Sequence, residues 1–195
     1  VASGGPARYI VHALAVLSIR RRGQAGFTLI ELMAVVIITA VLATAGVSVF
    51  RKYIFSAKGG EALSVIQAIR SAEEAYQAEN HVYLDVSTTH TWFPRAVPDR
   101  NRVAWAGADG DGDVVRWKAL APAITRSVQF SYLVNAGIAG VAVTVPEGMA
   151  NPGFALPTQN WYLIQAKGDA DGDGVFANYA SSSMTGEIYS EREGE

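Results

Sequence analysis

The sequence predicts an α+β fold: a long N-terminal α-helix, membrane-embedded over its first half, packed on a C-terminal antiparallel β-sheet. Three observations predict it. Residues 27–50 form an apolar run of membrane length that contains one charge, Glu31. Residues 61–79 repeat apolar positions every three or four residues, the period of an amphipathic helix. After Arg126, β-forming stretches alternate with turns, the pattern of a small sheet.

The apolar run, Phe27 to Phe50, holds no proline. About 20 apolar residues span a bilayer as helix, at roughly 1.5 Å each. β-Branched residues crowd its middle (Val35, Val36, Ile37, Ile38, Val41), yet it is too long for one globular strand. Arg20, Arg21 and Arg22 stand just before it. Basic residues stay on the cytoplasmic side, so the C-terminal part is expected to be exported. A second apolar stretch, YIVHALAVLSI, lies within residues 1–26 and is too short to span. A cut at the Gly26–Phe27 junction would remove the basic leader, residues 1–26, and leave the anchor, residues 27–50, intact.

Residues 51–80 read as an amphipathic continuation of the helix. Gly59-Gly60 predicts a kink or short break there, because glycine costs about 1 kcal/mol against alanine in a helix. Leu63, Ile66, Ile69, Ala72 or Glu73, and Tyr76 form the expected stripe, the seat of the sheet, with Glu73, Glu74 and Glu79 mostly off it. Asn80 is the expected stop. Residues 81–195 form the expected headgroup. Its first part, 81–125, is broken by prolines and glycines, and Trp92, Trp105 and Trp117 are expected to pack. Strands are expected in SVQFSYLVNA, GVAVTVP and NWYLIQAKG, with VFANYAS and GEIYSE supplying one or two shorter ones. Three to five antiparallel strands on the helical stripe make a natural two-layer solution.

Composition narrows the function classes. There is no cysteine, which rules out disulfides and cysteine metal sites. Residues 1–26 carry Arg8 and Arg20–Arg22 with no acid, which leaves a net charge of −6 on the remainder. That is no footprint for nucleic acid, which needs a clustered basic face. His12, His81 and His90 are scattered, and no metalloprotease, nucleophile-elbow or phosphate-loop motif is present. The expectation is a protein that is not an enzyme.

Two acidic loops invite a cation. GDADGDG (168–174) places Asp169, Asp171, Asp173 and Gly174 as at the start of a calcium loop, where alternate carboxylates aim oxygens at a hard ion and glycine allows the turn. The twelfth position is Ala180 in place of the bidentate glutamate, so a complete EF-hand is excluded. A looser calcium site at Asp169, Asp171 and Asp173 remains. GADGDGD (107–113), with Asp109, Asp111 and Asp113, has Val114 where the glycine belongs and is the weaker candidate. No cofactor is otherwise required.

GFTLIELM at Gly26–Met33, behind a basic leader and opening an apolar helix, resembles the class III signal of type IV pilin-like proteins, which include type IV pilins and the pseudopilins of type II secretion. The resemblance implies cleavage between Gly26 and Phe27 by a prepilin peptidase, then methylation of the new amine on Phe27. Two features depart from the family pattern: Ser48 stands where many members have proline, and the C-terminal disulfide of many pilins is impossible here.

A carboxylate at the centre of a membrane helix costs about 2.5–3.5 kcal/mol on insertion scales. Glu31 lies only about 6 Å along the axis from Phe27, near the interface, where the cost is small. When helices pack side by side it becomes buried. The resemblance implies that it then meets the Phe27 amine of its own or a neighbouring subunit and sets the axial register.

The expected function is a structural subunit of a type IV pilus or pilus-like filament, a filament class that serves motility, adhesion, DNA uptake or secretion. The alternatives are a type II secretion pseudopilin or minor pilin, and a membrane-anchored binding module that never polymerises. The implied partners are further copies of the chain or a mixed filament, a prepilin peptidase/methyltransferase, an inner-membrane assembly platform and, before assembly, membrane lipid. The implied location is the inner membrane, single-pass, and then an extracellular or periplasmic filament.

Overall fold

The computed structural model describes residues 26–106, 112–150 and 153–193. All of the basic leader except Gly26, with its arginines and short apolar stretch, and both Asp109 and Asp111, lie outside the described residues. Helix α1 runs from Leu29 to Asn80. The chain divides into two units, Val1–Ala43 and Thr44–Glu195.

In the first unit, α1 leaves its apolar side chains uncovered: Leu29 and Ile30 are each 77% exposed, and Val35 to Ile38 are all more than half exposed. The β-branched run is helical because only a helix satisfies every backbone group within one segment when no water is at hand. Thr39 fits the same rule. Its hydroxyl donates to the carbonyls of Val35 and Val36, at 2.8 and 3.0 Å.

In the second unit α1 continues without a break through Gly59 and Gly60, against expectation. Gly59 serves packing: a methyl there would lie 2.6 Å from the Tyr179 phenol oxygen. The buried stripe is Ala62, Val65, Ile66, Ile69 and Glu73, flanked by half-buried Ala72 and Tyr76. Leu63 faces outward, and Glu73 lies in the stripe rather than off it. Asn80 ends the helix, as expected. His81 follows in the left-handed region (φ 63°), and its N–H returns to the Gln77 carbonyl at 2.8 Å, a single-bond C-terminal cap.

The sheet has four antiparallel strands in chain order, β1 (Ser131–Gly137), β2 (Trp161–Gly168), β3 (Ala177–Ser182) and β4 (Ile188–Glu191). Val134, Ile164 and Ser181 are cross-strand partners, as are Tyr132, Ala166 and Tyr179. Tyr132, Val134, Tyr162, Ile164, Ala166 and Tyr179 form one core with the α1 stripe. Alternation sends Leu163 and Ala180 to the opposite face.

That opposite face is covered too. The GVAVTVP stretch is not a strand. It begins a loop that lays Val143, Met149 and Phe154 on Trp161, Leu163 and Ala180. Trp161 Nε1 donates to the Val141 carbonyl at 3.0 Å, and Gln165 Oε1 accepts from the Glu147 N–H at 2.7 Å. Val143 of this stretch covers the sheet rather than extending it, and with Met149 and Phe154 it buries the second side of β2 and β3.

The segment before β1 also holds a helix that local pattern did not reveal, α2 (Gly112–Leu120). It seats Trp117 against Phe93 (5.3 Å, stacked) and Trp105 (5.1 Å, edge-on). Trp92 is buried and bonds Glu147 at 2.9 Å. The tryptophans therefore pack, as expected.

Candidate functional site: the helix N-terminus and the acidic loop

The start of α1 is built by three residues. Gly26 and Phe27 precede the helix, with Phe27 77% exposed. Thr28 is the N-cap: its hydroxyl accepts the Glu31 N–H at 3.2 Å. The Glu31 carboxylate reaches back to the Thr28 N–H at 3.3 Å and to its hydroxyl at 3.1 Å. This is a reciprocal capping box, which satisfies two of the donors that a helix N-terminus leaves open. It also holds the carboxylate beside the backbone one residue beyond Phe27. Thr28 escaped the sequence reading, although the spacing T-x-x-E carried the signal.

The apolar helix behind this cap, Leu29–Val47, is long and apolar enough to cross a membrane, with a mean hydropathy of 2.3. Within it Glu31 is the single charge.

The second feature is the loop after β2. Asp169, Asp171 and Asp173 bring carboxylate oxygens within 4.8 Å of one another. The Asp169 side chain is buried, and both its oxygens accept loop N–H groups, from Gly172 at 2.5 Å and Gly174 at 3.0 Å. Asp171 accepts from the Asp173 N–H at 3.2 Å, and Asp173 from the Val175 N–H at 2.7 Å. Gly172 and Gly174 take positive φ, 81° and 86°, which glycine does without a steric cost. The Arg100 side chain packs on Gly172, and Lys58 of α1 donates to the Ala170 carbonyl at 2.7 Å. The donor set is all oxygen, which suits a hard cation, while the loop's own N–H groups already hold one oxygen or more of each carboxylate.

Of the other acidic stretch only Gly112 and Asp113 are described. Asp113 belongs to the first turn of α2, where it accepts from Thr88 at 3.3 Å, from Thr89, and from Arg116 at 3.2 Å. An acid at a helix N-terminus is favoured by the helix dipole, so this aspartate has a structural task.

Comparison with known proteins bears on the first feature. The prokaryotic N-terminal methylation motif matches residues 21–47. The matched stretch covers the end of the basic segment and the first part of the apolar helix. The sequence is also similar to the type IV major pilin protein PilA of Myxococcus xanthus (strain DK1622): 28% identity over 180 residues, covering 83% of this chain and 80% of the relative. Signal, apolar helix and four-stranded antiparallel sheet together resemble those of type IV pilin-like proteins. No solved structure gives a significant match.

Proposed function

We propose that the chain is the precursor of a filament subunit of the type IV pilus kind, cut between Gly26 and Phe27 and methylated on Phe27. The match of residues 21–47 to the methylation motif carries the reading. Likeness along most of the chain to a major pilin favours a pilus subunit over a pseudopilin or a non-polymerising module, and a structural over a catalytic role. Inner membrane insertion through residues 27–50, with the basic leader inside, precedes assembly by a membrane platform. Cleavage exposes an amine on Phe27, next to the residue that Glu31 already grips. In a stack of apolar helices this carboxylate is drawn from water, and the amine of its own or a neighbouring copy neutralises it. The pair then fixes register, because a buried charge left alone is costly.

The test is mass spectrometry of the mature N-terminus combined with filament shearing. The mature chain begins at a methylated Phe27. Glu31→Ala leaves cleavage intact but lowers sheared-filament yield by more than about tenfold, since breaking a buried pair costs about 3–5 kcal/mol. Undiminished yield from this variant overturns the role of Glu31. Processed wild-type protein that never reaches sheared filaments favours the anchored module or a minor subunit.

None of these roles needs a cofactor. For Asp169, Asp171 and Asp173 the reading is calcium, favoured by three carboxylates converging on one loop. Millimolar calcium then raises the melting temperature of the wild type and not that of Asp171→Asn/Asp173→Asn. No shift in the wild type removes the idea.

A further inference from the structure

Glu73 lies in the middle of the buried stripe of α1, with no exposed surface. Its Oε2 accepts the Leu84 N–H at 3.0 Å, while Oε1 is enclosed with no hydrogen-bond partner. The titratable groups around it offer little compensation. On its own helix stands Glu74, which accepts from the Tyr83 hydroxyl at 3.4 Å. Arg70, one turn earlier, serves the Gly186 carbonyl and Tyr162. The segment after the helix adds Tyr83 and Asp85, and β2 adds Tyr162. Among the described residues no cation lies within ion-pair distance of Glu73. Burial pushes its carboxyl up to about 8, against the Leu84 N–H, which favours the charged form; Asp85 and Glu74 add to the rise. The side chain therefore keeps its proton at neutral pH.

Leu84 begins the stretch that closes the outer edge of the sheet. The Ser87 N–H donates to the Val134 carbonyl at 2.8 Å, and the Ser87 hydroxyl accepts the Val134 N–H at 3.1 Å. Asp85 accepts the Ala136 N–H at 3.3 Å, and Asn135 donates to the Ser87 carbonyl at 3.1 Å. β1 is an edge strand, and an uncovered edge is a template for pairing with another chain. Glu73 thus grips the cover of that edge at its first residue.

We propose that Glu73 is a proton-operated latch: protonated, it holds residues 84–87 on the edge of β1, and ionised, it releases them. The ionised form must recruit water to an oxygen that has no partner, and it faces two like charges. The packed core of the sheet lies beyond this contact and stays closed. Released, the segment leaves the Val134 and Ala136 N–H groups open to an added strand.

The test is amide hydrogen exchange of the full chain in detergent micelles, wild type against Glu73→Gln. Between about pH 6 and about pH 9, protection of Leu84, Val134 and Ala136, corrected for intrinsic rates, falls at least about tenfold in the wild type. It holds steady in Glu73→Gln, whose amide carbonyl still accepts from Leu84. Protection at Ile164, in the middle of the sheet, is unchanged in both. An equal fall in both proteins overturns the latch, and so does a fall at Ile164 as large as that at Leu84. Carbon-13 titration of the wild-type carboxyl, assigned by the signal missing from the variant, gives an independent check. A midpoint near 8 supports the proposal, and one in the ordinary carboxylate range overturns it.

Discussion

The two halves of α1 each carry a glutamate in apolar company, and the two are treated in opposite ways. Glu31 is exposed, and its oxygens cap the helix through Thr28. Glu73 is enclosed and has one oxygen bonded to Leu84 and one bonded to nothing. The first half shows its apolar residues to the outside, and the second buries Ala62, Val65, Ile66 and Ile69 in the core. A carboxylate on an uncovered helix can wait for a partner. One on a covered helix has to solve its solvation problem within the chain, and here it does so by holding a proton.

The sharpest way to break this comparison is pH. The folded state holds the Glu73 proton up to about 8, from an ordinary value of 4.5. Between those values it binds more protons than the unfolded chain, so its stability is full below 4.5 and declines as pH rises to 8. At about 1.4 kcal/mol per pKa unit the loss has an upper bound of about 5 kcal/mol. Thermal unfolding followed by near-UV circular dichroism should show Glu73→Gln more stable than wild type at pH 8, with the gap closing toward pH 4.5. Parallel curves would mean that the carboxyl is ionised throughout.

Truncation sharpens the same contrast with a somewhat smaller effect. Ile69→Ala removes a fully buried side chain and should cost the head about 2–5 kcal/mol. Val36→Ala, on the uncovered half, should leave head stability within about 0.5 kcal/mol. Unfolding of both variants in the same micelles checks the pair.

These contrasts were unevenly legible in the sequence. The apolar run, the lone Glu31 and the amphipathic period marked the helix and its two environments, because both signals are local. The face was read slightly wrong. Leu63 fits an i, i+3 series with Ile66 and Ile69, but the packed stripe is centred one residue earlier, on Ala62. Hydrophobicity favours the leucine, whereas close approach favours the alanine. GVAVTVP has the composition of a strand, yet whether such a stretch joins a sheet or covers it depends on distant Trp161 and Leu163. Helix α2 follows a glycine-rich acidic stretch that reads as loop, and the aromatic cluster that seats it comes from Phe93 and Trp105. At the N-terminus, GFTLIELM pointed to Gly26, Phe27 and Glu31, while the capping role of Thr28 was masked by the assembly role assigned to its partner. The acidic loop with glycine in the sixth position brings its three carboxylates together.

The paired glycines offer a test of opposite signs. Gly59→Ala sets a methyl 2.6 Å from the phenol oxygen of buried Tyr179, at the tip of a rigid ring. Overpacking of that kind costs about 1–3 kcal/mol. Nothing lies within 4 Å of the same methyl on Gly60, so Gly60→Ala should stabilise the helix by about 0.5–1 kcal/mol. If both destabilise, the helix does not run straight through the pair, and the break that glycine chemistry suggests is real.

The smallest effect concerns the cap. Thr28→Ala removes the hydroxyl that accepts the Glu31 N–H and receives the carboxylate in return. Losing an N-cap costs about 0.5–2 kcal/mol, felt only in the first turn, so head stability should not move. Amide exchange at Glu31 and Leu32 in micelles should speed up by roughly twofold to thirtyfold. Filament yield should drop far less than with Glu31→Ala, because the carboxylate needed for register is still present and has only lost its guide. An equal loss of filaments from both variants would show that Glu31 acts through the cap alone. In that case the two glutamates of α1 would be alike after all, each serving only the fold of its own chain.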